Sequence, residues 1–443
     1  MLERLFRLEA SGTTVRREVL GGTSTFMTMS YILFVQPAVL SLTGMDFGAV
    51  MVATALASAL ATFLMAFLAN YPIALAPAMG HNFFFAFTIC GAPAMGGLGF
   101  AWPVALGANF ISGALFVALA VVGFRERIID AVPEALRHAI AVGIGLLIAL
   151  VGMEWGGWVV ATPGTYIGLG SLTSPPALLT AFGLLVTGGL IALRVQGAII
   201  IGMVATALVG WPFGLVTYHG IVSPPPSLSP TLFKLDILGA LQSGLVTVIF
   251  VLFFLDLFDT IGTLIGISEQ AGFMRNGRLP RAGRALLADA LGTVAGTCLG
   301  TSTVTSYIES AAGVSQGSRT GLANVVTGLL LVGAIFFAPV ARSLGEGVTI
   351  GGVVYRPVVA PILIIVGSFM LKSVARIPMD DLVTVLPAFL TMVVMPFTFS
   401  ITEGIAFGFI ATSLLLAVTG RAREVSWMVH ALAVLFLLRY IVL

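Results

Sequence analysis

The chain has 443 residues, of which 58% are hydrophobic and only 9% are charged, and its mean hydropathy is +1.09. These values exclude an ordinary water-soluble domain and are typical of a protein that crosses the bilayer many times. The net charge of +2 is too small to indicate nucleic-acid binding, and the two cysteines, Cys90 and Cys298, predict neither a disulfide framework nor a metal site.

The first twenty residues are charged and amphipathic, without the apolar core and cleavage site of a secretion signal. We predict that residues 1–20 form a cytoplasmic surface helix. Fourteen apolar segments follow, each near the length that a membrane-spanning helix needs or somewhat shorter. They cover residues 21–42, 48–69, 73–90, 102–123, 133–153, 177–193, 197–215, 241–267, 283–299, 302–314, 321–341, 353–371, 379–399 and 403–419.

Basic residues predict the orientation, because cytoplasmic loops carry an excess of Lys and Arg. The loops assigned to the cytoplasm contain Arg125, Arg127, Arg194, Arg275, Arg278, Arg281, Arg284, Arg319, Lys372, Arg376, Arg421 and Arg423. The opposite side has only Lys234 and two exceptions to the rule, Arg342 and Arg356. Both termini are therefore predicted to be cytoplasmic, and residues 425–443 are predicted to lie along the membrane interface.

The segments form two series of seven with a common pattern. The third member of each is short: IALAPAMGHNFFFAFTIC begins at Ile73 and TSTVTSYIESAAG begins at Thr301. Both open with residues unsuited to a helix and continue as a half-length helix. Because seven is odd, the two halves must be inverted in the membrane. We predict repeats at 21–215 and 241–419, joined by an extracytoplasmic linker at 216–240 and followed by a cytoplasmic or interfacial tail at 420–443.

The eighth segment contains two aspartates, Asp256 and Asp259, within the apolar run VLFFLDLFDTIGTLIG. A charge at the centre of a membrane helix costs roughly 2.5 to 3.5 kcal/mol, so intramembrane acids indicate a functional site. A spacing of three puts both carboxylates on one helix face. Interrupted segments at matching positions of two halves point to the binding site of a transporter. The half-helices would add Asn82 and Phe83 from one side, and Tyr307 and Glu309 from the other.

These side chains suit a planar nitrogen heterocycle. Carboxylates accept hydrogen bonds from ring N–H groups, an asparagine both donates and accepts, and an aromatic face stacks on the ring. Burial and mutual repulsion favour the protonated form of one carboxylate, which predicts proton-coupled uptake. No cofactor or metal ion is expected.

The runs MLERLFRLEASGTTVRREVLGG, APAMGHNFFFAF, FFLDLFDTIGTLIG and GTSTVTSYIESAAGVSQGSRTG resemble the nucleobase/ascorbate transporter superfamily. The similarity covers essentially the whole chain and is greatest to the adenine/guanine/hypoxanthine permease branch. It implies an all-α polytopic membrane protein with fourteen segments in two inverted repeats. It further implies short strands before the half-helices of segments 3 and 10, a core domain that moves against a gate domain, and a homodimer.

The resemblance also implies roles for individual residues. The implied substrate contacts are Asp256, Glu309 and Asn82, with Phe83 and Tyr307 matched by position only, and the implied proton-coupling residues are Asp259, Glu309 and Asp256. The chain departs from the branch where His81 precedes Asn82 and in the run 314–318, so the preference among adenine, guanine and hypoxanthine stays open. A lone histidine is more often structural than a ligand.

The predicted function is import of purine nucleobases across the plasma membrane, by proton symport with alternating access, and not enzyme activity. Another nucleobase, such as xanthine or uracil, is an alternative substrate. An anion carrier of the same architecture is a further alternative, but three acids at the site disfavour it. An intramembrane aspartyl protease would need aspartates on different helices, whereas Asp256 and Asp259 share one helix face. Broken helices with acids near the middle of the membrane favour alternating access over a channel.

Overall fold

A computed structural model describes residues 2–93, 96–122, 133–162, 166–274 and 279–442. The helices of the first half are α1 (Leu2–Phe6), α2 (Val15–Met29), α3 (Ile32–Leu40), α4 (Phe47–Leu64), α5 (Met79–Phe83), α6 (Trp102–Val122), α7 (Glu134–Trp155), α8 (Pro175–Ala192) and α9 (Ala198–Gly210). Those of the second half are α10 (Ile237–Gln242), α11 (Val246–Gln270), α12 (Ala282–Leu299), α13 (Ser310–Ser315), α14 (Gly321–Ala334), α15 (Ala338–Gly345), α16 (Ala360–Met370), α17 (Leu382–Thr398), α18 (Ile401–Val418) and α19 (Trp427–Val442). Four arginines used to predict orientation, Arg125, Arg127, Arg275 and Arg278, lie outside the described residues.

Within the described residues, eight helical stretches are long and apolar enough to cross a membrane. They are Val15–Thr43, Phe47–Ala69, Trp102–Val121, Glu134–Trp155, Pro175–Ala192, Val246–Ser268, Gly321–Gly345 and Ile401–Val418. Three shorter apolar helices are Ala198–Phe213, Leu382–Thr398 and Trp427–Leu438. The chain is thus a mostly helical, multi-pass protein, while the count of fourteen crossings stays a prediction.

The helices pack into two bundles. In the first, α12 packs on α4 and α6, and α14 packs on α2 and α4. In the second, α7 packs on α16 and α17, and α8 packs on α9. We call them the strand-bearing bundle (α2–α6 and α11–α15) and the flanking bundle (α7–α9 and α16–α19). Each bundle takes helices from both halves of the sequence, so neither half can fold into a separate domain.

A two-stranded antiparallel sheet lies inside the strand-bearing bundle. Strand β1 (Leu75–Pro77) follows α4, and the second strand (Val304–Ser306) follows α12; Ala76 is paired with Thr305. Both strands are completely or almost completely buried, so their backbone groups need partners within the protein. The N–H groups just outside the pair also find acceptors, from Ala78 to Thr303 O and from Tyr307 to Ala74 O, both at 2.9 Å. The pair therefore fixes the starts of α5 and α13 opposite each other.

Two hairpins lie outside this pair. Strands β2 (Val159–Thr162) and β3 (Tyr166–Leu169) form the first, after α7. The strand at Val304–Ser306 is numbered β4. Strands β5 (Val348–Ile350) and β6 (Val353–Tyr355) form the second hairpin, between α15 and α16. The second hairpin connects the strand-bearing bundle to the flanking bundle.

The N-terminal region differs from the predicted surface helix. Helix α1 is short, and α2 already begins at Val15, so residues 15–20 belong to the first long helix. Glu18 is completely buried, and its carboxylate accepts hydrogen bonds from the N–H groups of Arg319 at 2.7 Å and Ala323 at 3.1 Å. A carboxylate at a helix N-terminus satisfies otherwise unpaired N–H groups, which explains how this charge is tolerated next to α14.

The C-terminal helix α19 runs antiparallel to α18 along almost its full length. Near one end, Ser413 Oγ and His430 Nδ1 are 2.8 Å apart, and near the other end the Tyr440 hydroxyl donates to Glu403. Between them, the rings of Phe409 and Phe436 are 6.3 Å apart. Helix α18 is long and apolar enough to span the bilayer, so α19 packs alongside a candidate span, and the interfacial location of residues 425–443 stays a prediction.

Candidate functional site

The first long helix breaks beside the start of α13. Helix α2 ends at Met29 and α3 begins at Ile32, which leaves Tyr31 at the break. The Tyr31 hydroxyl donates a hydrogen bond of 2.7 Å to Glu309 Oε1, and the side chain is only 1% exposed. Its ring lies 6.5 Å from that of Tyr307. The sequence contained no signal that singled out Tyr31.

Two of the predicted acids reach accessible space. Asp259 on α11 is exposed and Glu309 is half-buried, and the two carboxylates are close enough to interact electrostatically. Ile308, directly before Glu309, is 56% exposed although it lies between the buried strand β4 and α13. The accessible part of the site therefore consists of Asp259, Glu309 and the apolar side chain of Ile308.

Asp256 lies on the same helix but is completely buried. It lies beside Asp289 of α12, which is also completely buried and is not among the predicted site residues. The hydroxyl of Thr293 donates to Asp256 Oδ2 at a long 3.5 Å. Asp256 Oδ1 and both carboxylate oxygens of Asp289 form no hydrogen bond of normal geometry among the described residues, although the Thr260 side chain and the Ser306 backbone lie close to Asp289.

Two adjacent carboxylates in a buried environment cannot both be charged without a large desolvation and repulsion cost. One proton held between Asp256 and Asp289 would remove a charge and supply the missing donor. Asp289 could have been identified from its sequence, because an aspartate in an apolar segment carries the same signal as Asp256. Paired aspartates from two helices also occur in aspartyl proteases, but this pair is closed off from the surface.

Asn82 on α5 is completely buried and belongs to a chain of polar side chains. Gln36 Nε2 donates to Thr301 Oγ1 and Ser302 Oγ, each at 2.9 Å, and Ser302 Oγ donates to Asn82 Oδ1. The Nδ2 group of Asn82 has no partner among the described residues. Asn82 thus connects α3, α5 and the segment before β4, and in this conformation it does not reach the accessible acids.

The two predicted aromatic contacts are also buried. Phe83 is completely buried and stacks on Phe87 at 5.8 Å with an interplanar angle of 9°. Tyr307 is 5% exposed, and its hydroxyl donates to the carbonyl of Pro77 at 2.6 Å. Neither ring offers a free face to a ligand in this conformation, so stacking on either ring would require a rearrangement.

His81 is buried as well, with its Nε2 unpartnered among the described residues. It lies against the backbone of Leu252 on α11, which agrees with a structural role. In the described part of the chain, no group of three or more His, Cys, Asp or Glu side chains could hold a metal ion.

The site lies where helices of the multi-pass bundle are interrupted. It contains two accessible carboxylates, one of which accepts a hydrogen bond from a tyrosine, and a completely buried pair of aspartates. Polar groups inside a membrane bundle, at the point where helices are interrupted, define a membrane transport protein. The permease-family model matches residues 16–407, which is most of the chain. The chain belongs to this permease family, whose members are transporters and not enzymes.

Similar proteins support this membership over the full length. The chain is 44% identical to the guanine/hypoxanthine permease PbuG of Bacillus subtilis, with 100% of each chain covered. It is 43% identical to the adenine permease AdeP of Escherichia coli, with 100% of this chain and 96% of that protein covered. It is 47% identical to the putative permease MJ0326 of Methanocaldococcus jannaschii, with 100% and 98% covered.

Solved structures give the same fold at low sequence identity. The transmembrane domain of the cyanobacterial bicarbonate transporter BicA matches with a TM-score of 0.61 and 14% identity, over 88% of this chain and 96% of that one. The structure of SLC26A9 matches with a TM-score of 0.64 and 10% identity, over 91% of this chain and 66% of that one. These similarities concern the fold alone.

Proposed function

We propose that this protein imports purine nucleobases across the plasma membrane by proton symport. The observation that carries the proposal is the accessible pair of Asp259 and Glu309 near the antiparallel β1–β4 pair. Tyr31 holds the Glu309 carboxylate through a hydrogen bond. Full-length relatives named as guanine/hypoxanthine and adenine permeases support the purine class. The preference among adenine, guanine and hypoxanthine is left open.

In this proposal the two accessible acids accept hydrogen bonds from ring N–H groups of the base. The hydrogen bond from Tyr31 to one oxygen of Glu309 fixes the orientation of the carboxylate. The other oxygen can then accept a hydrogen bond from the base. The exposed side chain of Ile308 supplies an apolar surface for the flat ring. Asn82, Phe83 and Tyr307 act behind this surface as support for the half-helices.

The proton-coupling role falls on the buried pair of Asp256 and Asp289. Asp256 and Asp259 are three residues apart on α11, so the binding acid and the proton-holding pair share one helix. A change in the protonation of the pair would alter the position of α11 against α12 and thereby the accessible acid. The resemblance to the family implied a different assignment, with Asp256 both at the substrate and in coupling, and with Asp259 in coupling.

For transport, the strand-bearing bundle acts as the core domain and the flanking bundle as the gate domain. We propose fourteen crossings in two inverted repeats of seven, a fifteenth crossing by α19, a cytoplasmic N-terminus, and a homodimer. Alternating access then requires the strand-bearing bundle, with both half-helices and α11, to move against the flanking bundle. The β5–β6 hairpin, which connects α15 of one bundle to α16 of the other, would have to move with the bundles.

An anion carrier is the second candidate, because the solved structures with this fold include a bicarbonate transporter. The carboxylates of Asp259 and Glu309 at the accessible site would repel an anion, which favours a neutral base. A pyrimidine or xanthine is a further alternative that the acids do not exclude.

The test is uptake of labelled hypoxanthine, adenine and guanine in cells that lack their own purine permeases. Uptake should be saturable and should fall sharply when a protonophore dissipates the proton gradient. Unlabelled purines should compete, whereas bicarbonate should not. Transport of bicarbonate without purine uptake would contradict the proposal. Competition by xanthine or uracil alone would show that the substrate is one of those bases and not adenine, guanine or hypoxanthine.

A further inference from the structure

Arg342 and Arg356 are the two arginines that depart from the predicted charge distribution, and they line one small cleft. The cleft lies where α15 leads into the β5–β6 hairpin, next to the start of α16 and to residues 215–219 after α9. Its walls therefore come from the strand-bearing bundle and the flanking bundle together. The cleft has room for about one water-sized occupant.

Arg356 is only 7% exposed, and its Nε has no hydrogen-bond partner among the described residues. Its guanidinium lies over the ring of Trp155, with Cζ 4.5 Å from the ring centroid. Its backbone N–H donates to Trp155 O at 2.9 Å. A ring face attracts the cation but does not accept hydrogen bonds from N–H groups in the guanidinium plane, and Arg356 is one of the residues that line the cleft.

One carboxylate, that of Glu346, also lines the cleft and interacts electrostatically with Arg356, and it has a second partner in His219. Glu346 Oε2 lies 3.1 Å from His219 Nε2, and the backbone N–H of His219 donates to Ser343 Oγ at 3.0 Å. Within the described part of the chain, neither Arg342 nor Arg356 forms a salt bridge with a carboxylate. Two guanidinium groups against one carboxylate leave the cleft with an excess positive charge.

A buried guanidinium without an acceptor is costly, whereas the same group beside an anion is stabilised. We propose that the cleft binds a small inorganic anion, chloride, between Arg342 and Arg356. A polyatomic oxyanion such as phosphate is too large for a space of this size. Because residues of both bundles surround the ion, its binding stabilises the arrangement of the bundles seen here.

The experiment measures thermal unfolding of the purified full-length protein in sodium chloride and in sodium gluconate at equal ionic strength. Chloride should raise the midpoint of the wild type by about 1.5 °C when its concentration is roughly ten times its dissociation constant. The variants Arg356→Gln and Arg342→Gln should lose this gain. Lys234→Gln removes the same charge from an exposed position of the predicted extracytoplasmic linker and should keep it.

Crystals of the wild type soaked in bromide give a second measurement, which does not depend on the folding of any variant. An anomalous peak beside the guanidinium of Arg356 supports the proposal. Equal midpoints in both salts together with no bromide peak would mean that the cleft holds only water. A chloride gain that persists in both arginine variants would place the ion elsewhere. Neither measurement involves uptake, so failure of the transport proposal would leave this test intact.

Discussion

Tyr31 and Glu309 are 278 positions apart in the chain, yet a 2.7 Å hydrogen bond joins the break in the first long helix to the start of α13. The bond connects a buried hydroxyl to a carboxylate that reaches accessible space. One oxygen of Glu309 is therefore held in place before a substrate arrives. Pre-organisation of this kind lowers the cost of ordering the site on binding.

We expect Tyr31→Phe to raise the concentration of hypoxanthine needed for half-maximal uptake about tenfold. A hydrogen bond to a charged group contributes about 1.5 to 3 kcal/mol, and part of that loss falls on the bound state. Tyr218→Phe is the matched control, because Tyr218 is 55% exposed and packs its ring near Trp211. Unchanged uptake kinetics in Tyr31→Phe, at equal expression, would show that the bond does not position Glu309 for substrate.

Substitutions of the four acids should separate binding from coupling. Asp259→Asn and Glu309→Gln are expected to lose hypoxanthine binding and therefore all uptake. Asp256→Asn and Asp289→Asn are expected to keep binding and exchange of hypoxanthine between the two sides of the membrane, but to lose accumulation driven by a proton gradient. Equilibrium binding to purified protein and counterflow in proteoliposomes measure the two activities.

The same experiment distinguishes our assignment from the one that the resemblance implied. If Asp256→Asn abolishes binding while Asp259→Asn retains it, then Asp256 is the substrate contact, and the conformation described here closes it off. If Asp289→Asn accumulates hypoxanthine as the wild type does, the buried pair does not carry the coupling proton.

Gly22 on α2 permits close contact with α14. A Cβ atom added at Gly22 would lie 2.3 Å from the carbonyl oxygen of Ala323, a backbone atom that cannot turn aside. Gly22→Ala should therefore destabilise the protein by about 1 to 3 kcal/mol, as overpacking usually does. Gly333→Ala on α14, where nothing lies within 4 Å, should be neutral or slightly stabilising. Thermal unfolding in detergent compares the two, and equal midpoints would show that α2 and α14 can separate easily.

The antiparallel packing of α19 on α18 predicts an extracytoplasmic C-terminus. A fusion of alkaline phosphatase to the C-terminus should be active, and a fluorescent-protein fusion at that position should be dark. The control is a fusion after Gly420, in the loop with Arg421 and Arg423, which should fluoresce in the cytoplasm. A bright full-length fusion would instead support the prediction that both termini are cytoplasmic.

The acids of the candidate site could be predicted from the sequence, but their exposure in the structure could not. Asp256, Asp259 and Glu309 could be identified because they are acidic residues within apolar segments. A charge in such a segment is costly wherever the helix lies. Which of Asp256 and Asp259 is accessible depends on what packs against α11. Asp289 carries the same sequence signal, whereas Tyr31 carries none, because a tyrosine in an apolar helix is ordinary.

Composition, hydropathy and the two matching short segments determined that the chain is a multi-pass membrane protein with an interrupted-helix site, because these properties depend only on local length and polarity. The tertiary structure decided the pairing of Tyr31 with Glu309, the burial of Asp256 beside Asp289, and the meeting of Arg342 and Arg356 in one cleft. Each of these contacts joins different elements of the fold. Their geometry depends on how helices from both halves pack, which no local pattern in the sequence records.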